Sequence, residues 1–392
     1  MIAVLLFDAT HTSHTRAQTG IQRVTRSLFA ELAKIQPTTG VCYDPYLRAW
    51  RALNPAELDH LRPDQPATKS RGAKWSLRQQ FTGRAQRLFR AAPALPPASG
   101  FVCPEIFSAQ VAAHWPAIFP RVQGPRVALF CDAIALHYPE LTPPATVARF
   151  PAYLRELLQF DGIAAISTTS AEVLREYWRW LGVDHPPVVQ AIPLGFSPLE
   201  LPPADTPGSA VPRILFVSTI EGRKNHLALL DACAALWTEG LSFELELIGL
   251  ARADTAAAAL AKIAALQQAS FPLIYRGAVP EAELHQAYAR CAFTVYPSLI
   301  EGFGLPVFES LASGKPCVCS AHGALGEATR GGGCIALDQV DAASLAGAIR
   351  QLLGNPAELA ALSATARARP ARSWREYAAD LTRWMGTLPR RA

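Results

Sequence analysis

The chain has 392 residues, 37 Lys and Arg against 32 Asp and Glu, and a formal net charge of +5; 50% of its residues are hydrophobic and 18% charged. That length exceeds one ordinary domain and fits two of roughly 150–200 residues, with apolar material for two buried cores. The hydrophobic content excludes a disordered chain, and the small, dispersed charge excess gives no basis for a nucleic-acid partner.

The apolar run from Met1 to Phe7 is too short for a signal peptide or a membrane span and reads as a buried first strand ending in Asp8. No other segment approaches 18 uninterrupted apolar residues, so no membrane crossing is expected. A loop follows, then a helix from about 20 to 33. Residues 69–90 hold seven basic residues and no acidic one, with Leu77, Phe81, Ala85 and Leu88 along one helical face. Such a segment fits either an anionic membrane surface or a helix packed on the first domain with a solvated basic face.

Strands are expected at 126–132, 162–168 and 187–195, with helices at 145–159 and 170–181. The Pro-rich stretch 193–213 has a linker signature. Beyond it the rhythm sharpens. Strand runs at 213–218, 243–249, 272–277, 291–298 and 315–320 alternate with helical segments at 225–237, 254–268, 280–290 and 305–312. This alternation implies parallel βαβ units with helices on both faces. After Gly354 the chain reads as helical to its end, and Trp374, Tyr377, Leu381 and Trp384 form an apolar stripe suited to packing back on the first domain.

Eight cysteines, at 42, 103, 131, 233, 291, 317, 319 and 334, form no CxxC pair and are too sparse for a disulfide scaffold. They read as reduced, mostly buried thiols of a cytoplasmic protein. Cys317 and Cys319 flank Val318 in a strand and would share a face.

Two clusters carry chemistry. In 298–314, Glu301 and Glu309 bracket a glycine-rich turn that leads into a helix. Backbone N–H groups near Gly302, Phe303, Gly304 and Leu305 would form an anion site at the helix N-terminus. Glu309, one turn in, could accept bonds from ribose hydroxyls. In 218–226, Arg223 and Lys224 follow a strand at the edge where open α/β sheets bind ligands, and their charges suit a pyrophosphate. The bland alternatives are a solvated loop glutamate, a helix-cap carboxylate and an ordinary exposed Arg–Lys pair.

The wording STIEGRKN (218–225), YRGAVPEAELHQAY (275–288), YPSLIEGFGLPVFESLASGKPCVCS (296–320), TGIQRV (19–24) and the trailing SW (373–374) resembles retaining glycosyltransferase family 4 of the GT-B fold, in the subgroup of bacterial polysaccharide mannosyl- and other hexosyltransferases. The resemblance covers most of the chain and is strongest over 213–353. It implies an α/β GT-B architecture of two doubly wound Rossmann-like domains facing across a cleft: 1–200 on the acceptor side, 201–370 binding the nucleotide sugar, and 371–392 as a helix returning to the first domain.

The resemblance also implies roles. Arg223, Lys224, Gly20, Gly304 and Leu305 would bind the donor diphosphate, with Arg23 behind Gly20. Glu309 would bind the ribose. Glu301, Gly302 and Phe303 would hold the sugar, and Arg276 and Val279 would line the base. Glu301, Asp132 and His137 are the expected catalytic residues, His137 being equally readable as a structural histidine. The donor is a nucleotide diphosphate sugar, first GDP-mannose, with UDP-hexoses and dTDP-rhamnose as alternatives. The acceptor is a growing glycan or a lipid-linked oligosaccharide, at the inner face of the plasma membrane. Neither cofactor nor metal is expected, and oligomeric state is left open. A catalytically inactive nucleotide-binding module is the competing reading.

Three departures from the family pattern stand out. Thr219 occupies a common Arg position, Gly222 replaces the usual Pro before Arg-Lys, and Cys131-Asp132 stands where His-Asp is frequent.

Overall fold

The computed structural model describes residues 4–63, 72–89, 95–201, 211–252 and 255–390. The chain divides into two compact units. The first comprises Met1–Ala133, Ala145–Gly195 and Arg372–Ala392, and the second Ile134–Pro144 and Phe196–Ala371. The sequence places the boundary at 200 and gives no sign of the excursion of Ile134–Pro144 into the second unit.

The first unit is built on seven strands: β1 (Val4–Asp8), β2 (Thr38–Asp44), β3 (Ala49–Ala52), β4 (Ala98–Cys103), β5 (Arg126–Phe130), β6 (Gly162–Ala165) and β7 (Val188–Ala191). Their order is β3-β2-β1-β4-β5-β6-β7. All neighbours pair in parallel except β2 and β3, which form an antiparallel hairpin at the edge. Helices cover both faces, so Leu5, Leu6 and Phe7 of β1 are all buried. The sequence pattern gives β1, β5, β6 and β7 but misses β2, β3 and β4. Gly40 interrupts β2, and β4 follows a proline-rich stretch that reads as loop.

The helix Trp374–Met385 belongs to this unit. Ser373 and Glu376 form a capping box at its start, and Tyr377, Leu381 and Met385 are buried. A side chain at Gly162 would meet the Trp384 ring, a Cβ there coming within 2.8 Å of it. The absence of that side chain lets the helix lie close to β6. Arg372 Nε donates to the Pro193 carbonyl at 2.8 Å.

The second unit carries β8 (Arg213–Val217), β9 (Glu244–Ile248), β10 (Leu273–Tyr275), β11 (Phe293–Tyr296), β12 (Cys317–Ser320) and β13 (Cys334–Leu337), in the order β10-β9-β8-β11-β12-β13. Every pairing is parallel. The five strands expected from the sequence are present; β13, short and preceded by three glycines, is additional. Its core packs Phe216, Leu229, Leu245, Phe293 and Val307 between sheet and helices.

All eight cysteines are free, and all but the half-exposed Cys334 are buried. Among the described residues no helix is long and apolar enough to cross a membrane. The basic segment forms a helix over Leu77–Leu88, but its apolar stripe does not pack on the domain: Leu77, Phe81 and Leu88 are exposed, and Gly83 is the buried position.

At the C-terminal edge of the first sheet, the loop after β1 is tied down by buried acids. Glu105 accepts from the His11 and Thr12 amides, both at 2.8 Å. Asp8 Oδ1 accepts from the Thr10 amide at 2.9 Å and its hydroxyl at 2.6 Å, and the Cys103 thiol points at Oδ2 from 3.6 Å. Buried Arg26 donates to the carbonyls of Thr15 and Ala17 at 2.8 and 2.6 Å. Burial, and then the charge of Glu105, raise Asp8 to about 7. The folded chain therefore holds this proton more tightly than the unfolded chain. The resulting stabilisation is complete below the ordinary value of 3.8 and is lost as pH rises through about 7. Asp8→Asn should flatten the fall of Tm between about pH 5 and pH 8. An unchanged slope in a pH series of thermal melts would rule Asp8 out as its source.

Candidate functional site

In the second unit the connections from β8 and β11 leave in opposite directions. That is the topological switch point at which open parallel sheets bind ligands beyond the strand C-termini. After β8 the chain runs through 218–221 into a single 3-10 turn, Gly222–Lys224. Asn225 then takes a left-handed conformation, φ 56°, and hands over to the helix His226–Thr238; its side-chain amide donates to the Val340 carbonyl at 2.6 Å. A Cβ on Gly222 would approach Leu141 to 3.2 Å, so the glycine in the usual proline position makes room for a side chain of the Ile134–Pro144 segment.

After β11, the loop 297–304 ends at Gly304, whose φ of 93° favours glycine. Gly304 is the N-cap of the helix Leu305–Ala312, with Pro306 in its first turn and no side-chain cap. The two loops are joined by backbone. The Leu299 amide donates to the Arg223 carbonyl at 2.9 Å, and Arg223 Nη1 donates to the Ile300 carbonyl at 3.3 Å.

Charge joins them more strongly. Arg223 Nη1 donates to Glu301 Oε2 at 2.8 Å, and Lys224 Nζ donates to Glu301 Oε1. Arg223 Nη2 also pairs with Glu221 at 2.7 Å, and Arg252 reaches the other Glu221 oxygen at 3.5 Å. Burial by itself would push the Glu301 carboxyl up, but Lys224 and Arg223 bring it down to about 2, so it is ionised at any working pH. Burial pulls the Lys224 ammonium below its ordinary range, with the charge of Arg223 adding to that pull and Glu301 opposing it. His226, buried against Phe216, is lowered to about 3 by burial and then by Lys224, and stays neutral. An anion arriving here meets cations already paired with a carboxylate, and must displace or share Glu301 to reach them.

Of the residues expected from the sequence, Glu301, Arg223 and Lys224 are brought into direct contact. Gly302 and Phe303 are buried in the adjoining loop, the Phe303 ring stacking on Phe308 with centroids 4.7 Å apart. Leu305 opens the following helix and Glu309, also buried, lies one turn in. Arg276 and Val279 follow β10 on the same edge; the Arg276 guanidinium turns to Glu246, at 3.3 Å, and to Glu283.

The others lie elsewhere. Gly20 begins the helix Gly20–Ile35 in the first unit; it is exposed, and a Cβ there would meet nothing within 4 Å. Arg23 sits on the same helix, its amide donating to the Thr19 carbonyl. Asp132 follows β5 in the first unit, half-buried. His137 ends the short helix Ile134–His137, exposed, in the second unit. Sequence reasoning missed Arg252 and Glu221, which extend the charge network. Their only signal is position, just beyond β9 and β8 at the same sheet edge.

Residues 211–355 match the family model of glycosyl transferases group 1. Over 339 residues the chain is 24% identical to the serotype-specific mannosyltransferase WbdA of Escherichia coli, a match spanning 80% of this chain and 38% of that protein. The chain thus spans well under half the length of this relative. It is 35% identical over 132 residues to the O-antigen chain mannosyltransferase B of Escherichia coli, covering 33% of this chain and 34% of the relative. Among solved structures, HepE of Anabaena, in complex with UDP and glucose, superposes with a TM-score of 0.69 at 15% identity over 99% of this chain and 100% of that one. Sucrose-phosphate synthase of Thermosynechococcus elongatus superposes with a TM-score of 0.64 at 18% identity, over 98% of each chain. The two largely parallel sheets, their order and these likenesses give the GT-B fold, and residues 211–355 form a domain that matches group 1 glycosyl transferases.

Proposed function

We propose that this protein is a retaining hexosyltransferase that moves a sugar, first mannose from GDP-mannose, from a nucleotide diphosphate sugar to a glycan or lipid-linked acceptor in cell-surface polysaccharide synthesis. The observation that carries the reading is the closure of Glu301 on Arg223 and Lys224 at the switch point between β8 and β11. The match to group 1 glycosyltransferases and the likeness to mannosyltransferases over part of their length support it.

As the C–O bond to the anomeric carbon breaks, negative charge gathers on the departing diphosphate. Arg223, Lys224 and the amides near Gly304 and Leu305 would stabilise that charge, without a metal ion. Glu301, released from the cations, would take hydroxyls of the transferred sugar, and Glu309 those of the ribose. The acceptor oxygen bonds to the anomeric carbon on the face the diphosphate leaves, and its proton passes to a phosphate oxygen, so no protein base is invoked. Arg276 and Val279 are the proposed base neighbours. The phosphate role of Gly20 and the acceptor-side roles of Asp132 and His137 rest on the family resemblance alone.

Two outcomes test this. In a thermal-shift panel of GDP, UDP, dTDP and ADP with their common sugars, one nucleotide should stand out, unchanged by EDTA. A ligand at about 100 times its Kd stabilises by about 2.7 kcal/mol, a readily visible shift. No shift with any of them would contradict a nucleotide-sugar donor site on this chain. The second is a pair of opposite signs. Glu301→Gln removes the carboxylate that competes for the cations, so free nucleoside diphosphate should bind more tightly while sugar transfer falls by at least about tenfold. Titration calorimetry showing weaker binding in this variant would contradict a competing Glu301.

A further inference from the structure

The helix Leu77–Leu88 stands on the first unit with its faces reversed from the arrangement that buries an amphipathic helix. Its inner side is polar and small. Gly83 is buried, and a Cβ there would come within 2.9 Å of Tyr46 and 3.0 Å of the Leu47 backbone. Gln79 donates to Glu57 at 2.7 Å, and the Arg84 guanidinium lies over the Tyr46 ring at 5.0 Å. Just before the helix, Trp75 stacks on buried His14 with centroids 3.6 Å apart, and the Lys74 amide donates to the His14 carbonyl at 2.7 Å. A Ser76–Gln79 capping box fixes the first turn. The helix is therefore firmly seated, and its outward side is a built surface.

That outward side is apolar. Leu77 is 71% exposed, Phe81 66%, Leu88 78% and Phe89 77%. At about 100° per residue, Leu77, Leu88, Phe81 and Ala85 fall within an arc of about 80°, opposite Gly83 and Gln79. Arg78 and Arg84 flank the arc on either side, and exposed Lys74 and Arg87 lie beyond. Residues 72–89 contain no acidic side chain. A second copy of the chain on this face would set the same cations against each other, since a two-fold contact pairs each patch with itself. An anionic bilayer supplies both halves of the match: acyl chains for the leucines and phenylalanines, and headgroup charge for the arginines and lysine.

We infer that the helix Leu77–Leu88 docks this protein on an anionic lipid surface, its Leu77–Phe81–Leu88 arc entering the headgroup–acyl boundary and Lys74, Arg78 and Arg87 engaging the headgroups. The inference does not depend on the donor site, because none of these residues belongs to it.

The test is co-sedimentation of the full chain with vesicles of phosphatidylcholine alone and of phosphatidylcholine with phosphatidylglycerol, at low and high NaCl. The unaltered protein should sediment with the phosphatidylglycerol vesicles and lose much of that binding in high salt, which shortens electrostatic range. Leu77→Ser with Phe81→Ser should weaken partitioning by at least about tenfold. Arg78→Gln with Arg87→Gln should leave binding weak and less sensitive to salt. The changed side chains are exposed, so both variants should melt as the parent does and keep its nucleotide-induced shift. Absence of binding to the phosphatidylglycerol vesicles, or equal binding by the serine pair, would overturn the inference. So would sedimentation velocity showing a dimer that Phe81→Ser dissociates.

Discussion

One carboxylate, that of Glu301, holds together two cations carried by a different loop, and the arrangement of the second unit converges on that contact. Parallel strands send every connection out at the same edge, so the loops after β8 and β11 are obliged to meet. Without Glu301, Lys224 would lie beside an Arg223 guanidinium that Glu221 only partly balances, at a cost of several kcal/mol. Glu301 supplies the counter-charge while no anion is present. The same contact sets the entry rule for any ligand, which has to be a better partner for the cations than the protein's own acid.

How far the sequence reveals this depends on whether information is local. The alternation of strand and helix over 213–320 exposes the parallel sheet, and from it follows the shared edge of Arg223, Lys224 and Glu301. The strands it misses are β2 and β4, each interrupted by a glycine, and β3 and β13, four residues each; pairing with neighbours makes them strands. Arg252 and Glu221 join the charge network across 31 positions, and no local pattern marks that pairing. The helix at Leu77–Leu88 is the sharpest case. Its periodicity correctly gives an amphipathic helix, but periodicity assigns no inward side. The seat is made by a glycine, a glutamine and an arginine over a tyrosine, groups that a hydrophobic pattern does not weigh.

The departures from the family pattern divide in the same way. Gly222 has a steric account in Leu141, and the turn it opens is closed by the Lys224 and Asn225 amides donating back to Glu221 and Gly222. Cys131 is a core residue: burial, and then Asp132, push its thiol up to about 12, and the Ser170 hydroxyl holds its carbonyl at 2.9 Å. A thiol so placed stays protonated and offers no substitute for an imidazole. Asp132, one residue further along and half-buried, is the polar group that this strand end presents.

The return of the helix Trp374–Met385 to the first unit has a consequence for biosynthesis. The ribosome completes the strands of the first sheet by Ala191, yet the helix that covers Gly162 emerges only after the whole second unit. With about 190 residues between Gly195 and Met385, translation at about 5–20 residues per second leaves that apolar surface bare for roughly 10–40 s. During that interval the nascent chain is a natural client for a holding chaperone, and a stop codon placed before Trp374 would make the exposure permanent.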